Sequence, residues 1–541
     1  MRSTMQNGEL SIGQLLRYGS QVHASSEVAT WTGDGCRRVS YGEVGRRAAR
    51  LAHALRDLGI SGDQRVATFM WNNSEHLEVY LAVPAMGAVL HTLNIRLSAE
   101  QLVFIANHAE DEVVIVDSTL APALAPHLPE MRTVRHVIVT GNDSSVLDAP
   151  AGITVHSYEE LLDGRPDECD WPEVDERAAA AMCYTSGTTG DPKGVVYSHR
   201  SIWLHSMQVC MTDGMALSQR DTTLAIVPQF HAMSWGLPYA AFMVGASLVM
   251  PDRFLQPEAI ARILATERPT FAAAVPTIWQ GLLHHLEAHP QDISHLREVV
   301  VGGSAAPPSL MHAFEENYGV SVLHAWGMTE TSPLGSVARP PAGVEGERAW
   351  AYRYTQGRFP ASVRARLIDD SGTELPWDGS SVGELEVTGP WIAAGYHGGA
   401  DDGKFRDGWL RTGDVGHITP DGYLTLTDRA KDVIKSGGEW ISSVELENHV
   451  MAHDAVAEAA VIGIPDAKWE ERPLVAVTLK DGKQAGAAEL RQFLDGKVAR
   501  WQLPENWTFV DEIPKTSVGK SDKKRLRADF AAGSLEVRRI D

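Results

Sequence analysis

The sequence predicts an α/β chain of several units: a large N-terminal domain with more than one subdomain, then a small α+β domain. Three observations carry this reading. At 541 residues the chain is too long for one hydrophobic core, and its length suggests about two to four domains or subdomains. The run Glu298-Val299-Val300-Val301 empties into Gly302-Gly303-Ser304. A buried strand ending in a glycine turn suits an open α/β sheet, where ligands sit beyond the carboxyl ends of strands; an ordinary βα turn has the same pattern. Finally, the charged string Asp428-Arg429-Ala430-Lys431-Asp432, flanked by apolar strands, reads as an interdomain connector.

Ser40-x-x-Glu43 is a capping box, in which the serine oxygen takes a backbone N–H of the first turn and the glutamate reaches back. It opens a helix whose apolar face runs Val44, Ala48, Leu51, Leu55 and Leu58, stopped by Gly59. Strand-like runs such as Val113-Val114-Ile115-Val116 alternate with helical stretches. From Thr222 to Pro251 there is no Asp, Glu, Lys or Arg, which invites a membrane-span reading. Pro228, Gln229, His231, Ser234 and Pro238 interrupt it, however. The unbroken apolar part, Leu237 to Met250, is shorter than the roughly 20 residues a span needs. The segment reads as strand, turn, buried helix and strand, so no transmembrane segment is expected.

After Gly383-Glu384-Leu385 come short strands with turns at Asp407-Gly408 and Asp421-Gly422. Ser442-x-x-Glu445 is a second capping box, with Ile441 and Leu446 at the positions of a hydrophobic staple, so a helix starts near Ser443. The expected division is residues 1–428, a connector at 429–432, and residues 433–541.

Composition excludes some functions. With 48 Lys and Arg against 70 Asp and Glu, the formal net charge is −22. No nucleic-acid partner is expected, since that would call for a basic face. The four cysteines (Cys36, Cys169, Cys183, Cys210) show no C-x-x-C spacing, which points to a reducing compartment and no structural zinc. No basic-then-apolar pattern opens the chain, and a cytoplasmic location is expected.

Residues Tyr184-Thr185-Ser186-Gly187-Thr188-Thr189-Gly190-Asp191-Pro192-Lys193-Gly194 combine three glycines, four aliphatic hydroxyls and one lysine. Glycine lets the backbone approach a ligand, and successive N–H groups form an anion-binding concavity. The loop is built to hold a polyphosphate. It is not the common P-loop, G-x-x-x-x-G-K-[ST], because Lys193 is followed by Gly194 and not by a hydroxyl that could ligate Mg²⁺.

Three more motifs stand behind it in order: Trp326-Gly327-Met328-Thr329-Glu330, Trp409-Leu410-Arg411-Thr412-Gly413-Asp414, and Pro514-Lys515-Thr516-Ser517-Val518-Gly519-Lys520. Together the four resemble the adenylate-forming superfamily of acyl-CoA synthetases, firefly-luciferase-like enzymes and peptide-synthetase adenylation domains. The resemblance runs over nearly the whole chain. It implies an adenylate-forming N-terminal domain, a mobile C-terminal domain, ATP, Mg²⁺ and CoA. A carboxylate is a poor electrophile; attack on the α-phosphate of ATP makes an acyl-adenylate, from which a thiolate can displace AMP. The first step joins two anions, so positive charge must stand where negative charge develops.

By this resemblance Thr185, Ser186, Gly187, Thr188, Thr189, Gly190 and Lys193 would hold the β- and γ-phosphates, with Thr185 also near the metal. Glu330 would ligate Mg²⁺, as a hard cation prefers oxygen. Thr329, with Gly327 and Met328, would lie along the α-phosphate, and Trp326 would give adenine a flat face backed by Gly302, Gly303 and Ser304. Asp414 would accept from the ribose hydroxyls, with Arg429 as a second ribose or phosphate contact. Lys520 would bridge the carboxylate and the α-phosphate. Lys431 stands at the hinge. Rotation there would withdraw Lys520 and bring Gly437, Gly438 and Trp440 to the pantetheine arm of CoA; a plain β-turn at Gly437-Gly438 is the alternative.

His231 falls where amino-acid-activating relatives place an aspartate for the substrate ammonium. No carboxylate is nearby, and an unpaired ammonium in an apolar pocket would be costly, so an amino acid is disfavoured. His231 is expected to help the carboxylate or close the pocket, or to be a packed histidine. Trp235 and the uncharged stretch after it, with Gly327, would line the acyl pocket. The small residues Gly236, Ala240, Ala241 and Gly245 could leave a channel or permit tight helix packing. Similarity to medium- and long-chain fatty acyl-CoA synthetases favours a fatty acid. The alternatives are a short sulfur-containing acid such as methylthiopropionate, or an acyl-AMP ligase feeding a carrier protein. A homodimer is compatible with the same reading.

Overall fold

The computed structural model describes all residues except 2, 142–146, 149, 186–190, 400–402, 430–431, 437–438, 467, 517–519 and 541, and except the side chains of Glu439 and Trp440. Helix Tyr41–Asp57 begins at the serine cap the sequence marks: Ser40 Oγ accepts from Glu43 N–H, and Val44, Ala48, Leu51 and Leu55 are buried, while the Glu43 carboxylate pairs with Arg46. That helix packs against Ser74–Ala85, beside a seven-stranded sheet. In sheet order its strands are Thr154–Ser157, His136–Thr140, Asp111–Asp117, Arg65–Phe69, Val89–Thr92, Ala179–Tyr184 and Gly194–Ser198. Neighbours are parallel except the last pair.

A second sheet has fifteen strands. Its parallel part joins Glu27–Trp31, Ser247–Met250, Thr222–Ala225, Phe271–Ala274, Glu298–Val301 and Ser321–Gly327. The uncharged segment is strand, turn, helix Leu237–Val244 and strand, as its interruptions imply. From Leu334 onward the strands of this sheet are antiparallel and end, along the chain, at Tyr423–Arg429. Among the described residues, no helix is long and apolar enough to cross a membrane.

The next strand, Ile434–Ser436, belongs to a separate six-stranded sheet. Helix Ser443–Met451 is capped by Ser442, whose Oγ accepts from Glu445 N–H. Asp432 and Val433 N–H both donate to Arg429 O. Further contacts join the two sides of the connector: Ser442 Oγ donates to Thr427 O and Ser443 N–H donates to Asp428 Oδ2 at 2.6 Å. Lys523, paired with Glu447 at 2.7 Å, lies near enough to favour the charged form of Asp428 against its burial. Every hydrophobic cluster among the described residues falls wholly before 430 or wholly after 433.

Candidate active site

Strand Ala179–Tyr184 and its antiparallel partner Gly194–Ser198 set Tyr184 opposite Gly194 and hold the phosphate-type loop between them. The neck is fastened twice. Thr185 N–H donates to Lys193 O at 2.9 Å, and Lys193 N–H donates to Thr185 Oγ1 at 3.2 Å. The Thr185 hydroxyl accepts in that bond and can still donate its own proton. A Cβ on Gly194 would stand 3.0 Å from the Tyr184 ring and 3.1 Å from His397, so a larger residue would have to displace these side chains slightly. Ser186, Gly187, Thr188, Thr189 and Gly190 lie outside the described residues.

Lys193 Nζ lies 5.4 Å from the centre of the Tyr396 ring, and Tyr396 Oη donates to Glu330 Oε1 at 2.6 Å. Tyr396, which no sequence motif signals, therefore links the loop lysine to the carboxylate of the second motif. Glu330 is 5% exposed. It sits in the turn Thr329–Thr331, just beyond strand Ser321–Gly327. Met328 and Thr329 are half-buried, and Thr329 O accepts from Tyr197 Oη at 2.8 Å. At Gly327 a Cβ would collide with Pro333 O.

Asp414 and Arg429 face each other across antiparallel strands. Arg429 Nε lies 2.7 Å from Asp414 Oδ1, and Trp326 Nε1 donates to Asp414 Oδ2 at 2.8 Å. The nearby Asp414 carboxylate holds the Arg429 guanidinium above its ordinary pKa. Trp326 was expected to offer adenine a flat face. The residue is 7% exposed, its ring lies against Gly335 and meets Phe359 edge-on at 6.1 Å, and its indole N–H orients Asp414.

From Ala232 to Trp235 every residue is left-handed, with φ of +44°, +56°, +52° and +55°, and Gly236 continues at +74°. Residues other than glycine enter this region at a cost, and the sequence predicts a turn here without its handedness. The consequence is positional: the Trp235 ring presses on Gly302, where a Cβ would stand 3.1 Å from it. Ser304 is exposed. Burial, then the charges of Lys520 and Arg96, lower the His231 pKa to about 3. The imidazole is neutral at ordinary pH, so any help it gives a carboxylate is a neutral hydrogen bond and not a charge.

Lys520 reaches this place from the small domain. Its loop is closed by Thr516 N–H donating to Lys520 O at 2.7 Å and Lys520 N–H donating to Thr516 Oγ1 at 3.2 Å. A Cβ on Gly303, whose φ is +82°, would stand 3.6 Å from Lys520 Cε and 3.8 Å from Trp235. Burial first, then Arg429, lower the Lys520 pKa to about 8, against the opposing pull of Asp414 and Glu330. The structure thus gathers Gly303, Trp235, His231, Glu330, Asp414, Arg429 and Lys520.

Lys404 was missed by sequence reading. Its Nζ would stand 3.2 Å from a Cβ on Gly413, and it is held partly buried in the fields of Glu330 and Asp414. Lys431, Gly437 and Gly438 lie outside the described residues. Trp440 is on strand Glu439–Ile441, paired with Ile434–Ser436. Among the described residues, no three His, Cys, Asp or Glu form a group that could hold a metal. A Mg²⁺ site at Glu330 would therefore draw on phosphate oxygens and water, which is how Mg²⁺ is commonly bound beside nucleotides.

The AMP-binding enzyme model matches residues 19–397, and the AMP-binding enzyme C-terminal domain matches 445–520. Over 536 residues the chain is 42% identical to 3-methylmercaptopropionyl-CoA ligase of Ruegeria lacuscaerulensis, covering 98% of this chain and 99% of that one. It is 43% identical over 537 residues to medium-chain-fatty-acid–CoA ligase of Ectopseudomonas oleovorans, covering 98% of each. With long-chain-fatty-acid–CoA ligase of Thermus thermophilus the identity is 44% over 536 residues, covering 98% and 97%. ATP-bound MatB from Rhodopseudomonas palustris is similar in structure, with a TM-score of 0.81 and 25% identity over 96% of this chain and 99% of that one. The fold is also that of the anthranilate CoA ligase AuaEII, with a TM-score of 0.88 at 24% identity over 99% and 100%.

Proposed function

This chain belongs to the AMP-binding enzyme family as an AMP-forming acid–thiol ligase, and we propose that the acid it activates is a medium- or long-chain fatty acid. The carboxylate attacks the α-phosphate of ATP and pyrophosphate leaves; the CoA thiolate then attacks the acyl carbon and AMP leaves. What supports this reading is the position of Lys520, carried by the small domain yet packed over Gly303 in the combined field of Asp414, Glu330 and Arg429. A cation there offsets the repulsion between carboxylate and α-phosphate.

In this proposal Thr185, Lys193 and the residues between them hold the departing pyrophosphate, and Asp414 and Arg429 hold the ribose. Glu330 holds Mg²⁺, whose charge would neutralise phosphate oxygens when bound. Residues 433–541 then turn about Lys431, bringing Gly437, Gly438 and Trp440 towards CoA. A cytoplasmic location and a homodimer belong to the same proposal, and sedimentation checks the second. A short thioether acid is the second reading, favoured by the 42% identity to the Ruegeria ligase. The deciding experiment is an acid panel from acetate to palmitate, with 3-methylmercaptopropionate, read by pyrophosphate release and then by thioester formation. Adenylate that accumulates and never passes to CoA would eliminate the proposal; preference for the shortest acids would select the second reading.

A further inference from the structure

Arg96 belongs to none of the four motifs, yet its place in the fold is specific. It follows strand Val89–Thr92, the parallel neighbour of Ala179–Tyr184, which leads into the loop at 185–193. That puts Arg96 at the carboxyl end of the sheet, where open α/β sheets bind ligands. Asn94 shapes the turn: its Oδ1 accepts Arg96 N–H at 3.0 Å, and its carbonyl accepts Leu97 N–H at 3.2 Å. Ser98 then caps helix Ala99–Ala109. The Arg96 side chain reaches toward the other sheet, its Cζ 5.9 Å from the centre of the Phe230 ring. Phe230 precedes His231, which feels the charges of both Arg96 and Lys520.

Arg96, beside Phe230, and Lys520 thus both act on His231, in the region where the acid's carboxylate is expected. His231 is neutral, and Lys520 rides on the small domain. Of the three, Arg96 alone combines a permanent charge with attachment to the large domain. We infer that Arg96 is the stationary cation of the acid site, its guanidinium holding a carboxylate oxygen during adenylation and the same oxygen as it becomes negative under thiolate attack. Arg96 keeps an exposed surface, even as partial burial lowers its guanidinium pKa. The inference rests on the acyl-adenylate reading of the site, and it adds a group that remains after Lys520 withdraws.

Arg96→Met and Arg96→Lys are compared with wild type in two separate half-reactions: acid-dependent exchange of pyrophosphate into ATP, and CoA thioester formation from supplied acyl-adenylate. ATP affinity is measured alongside. In Arg96→Met the KM for the acid rises roughly 10- to 100-fold, the effect of losing a hydrogen bond to a charged group. Both half-reactions slow, ATP affinity stays at the wild-type value, and Arg96→Lys regains part of the loss. Wild-type values in both half-reactions overturn the inference. So does a loss confined to ATP affinity, which would give the guanidinium to the nucleotide phosphates. Should Arg96→Met fail to fold, Arg96→Lys with intact ATP affinity and an unaltered acid KM overturns it equally. A wild type that activates short acids and no fatty acid refutes the chain-length reading alone, because the Arg96 comparison is then run with the accepted acid.

Discussion

Replacing Asp414 separates what the carboxylate does for the fold from what it is proposed to do for the nucleotide. The group is 4% exposed, with Trp326 Nε1 on one oxygen and Arg429 on the other. In Asp414→Ala the indole N–H loses its acceptor in a buried setting, which costs about 1–3 kcal/mol. The Arg429 side chain is 42% exposed, so its charge regains water and the lost ion pair adds only about 0–1 kcal/mol. Asp414→Asn keeps an acceptor for Trp326 and recovers most of the first cost while discarding the charge. If the ribose hydroxyls donate to this carboxylate, both variants forfeit charge-assisted bonds of roughly 1.5–3 kcal/mol. That is a rise of about 10- to 100-fold in the KM for ATP. Thermal unfolding, set beside ATP KM in pyrophosphate exchange, measures both effects. The expected outcome is two variants alike in nucleotide affinity and unlike in stability. Equal stability would refute the role given to Trp326, and an unchanged ATP KM would refute the ribose contact.

Lys520→Ala should slow adenylation on the order of 100-fold or more while sparing thioester formation from supplied acyl-adenylate; equal loss in both half-reactions counts against the assignment. Because burial lowers the Lys520 pKa to about 8, its charge is present below that pH and lost above it. Adenylation should therefore decline as pH rises through about 8, and Lys520→Arg should abolish the decline. A profile that keeps this limb in Lys520→Arg assigns it to another group. Gly303→Ala forces a side chain onto a φ of +82°, at about 1–2 kcal/mol, and puts a methyl 3.6 Å from Lys520 Cε. Adenylation should suffer more than thioester formation, and the reverse order would place Lys520 elsewhere in solution.

Where information is local, the sequence reads correctly. Ser40 and Ser442 each sit a fixed distance from the N–H they accept, so the helices at Tyr41 and Ser443 begin at the serine caps the sequence marks. Glu298–Val301 is a buried strand because its neighbours on both sides are strands. The same holds for the order of the motifs. What stays hidden depends on contacts between distant segments. Nothing near Tyr396 announces that its hydroxyl binds Glu330, and nothing near Arg96 announces Phe230. The left-handed run at Ala232–Trp235 is not legible either, since none of those residues prefers that backbone and only the surrounding packing holds it. Trp326 is intermediate: its motif marks the site, but the strand pairing that sets its indole on Asp414 lies in the fold.

The residues before 430 and after 433 share polar contacts and no hydrophobic cluster among the described residues. Cooperative unfolding depends on a common core, so this chain should melt as two units, the smaller one free to unfold while the larger stays intact. A nucleotide bound between Asp414 and Lys520 would touch both units and stabilise whichever state keeps them docked. Calorimetry would then record two heat absorptions in the free enzyme, drawn together as ATP is added. The ligand would supply the cooperativity that the chain itself lacks.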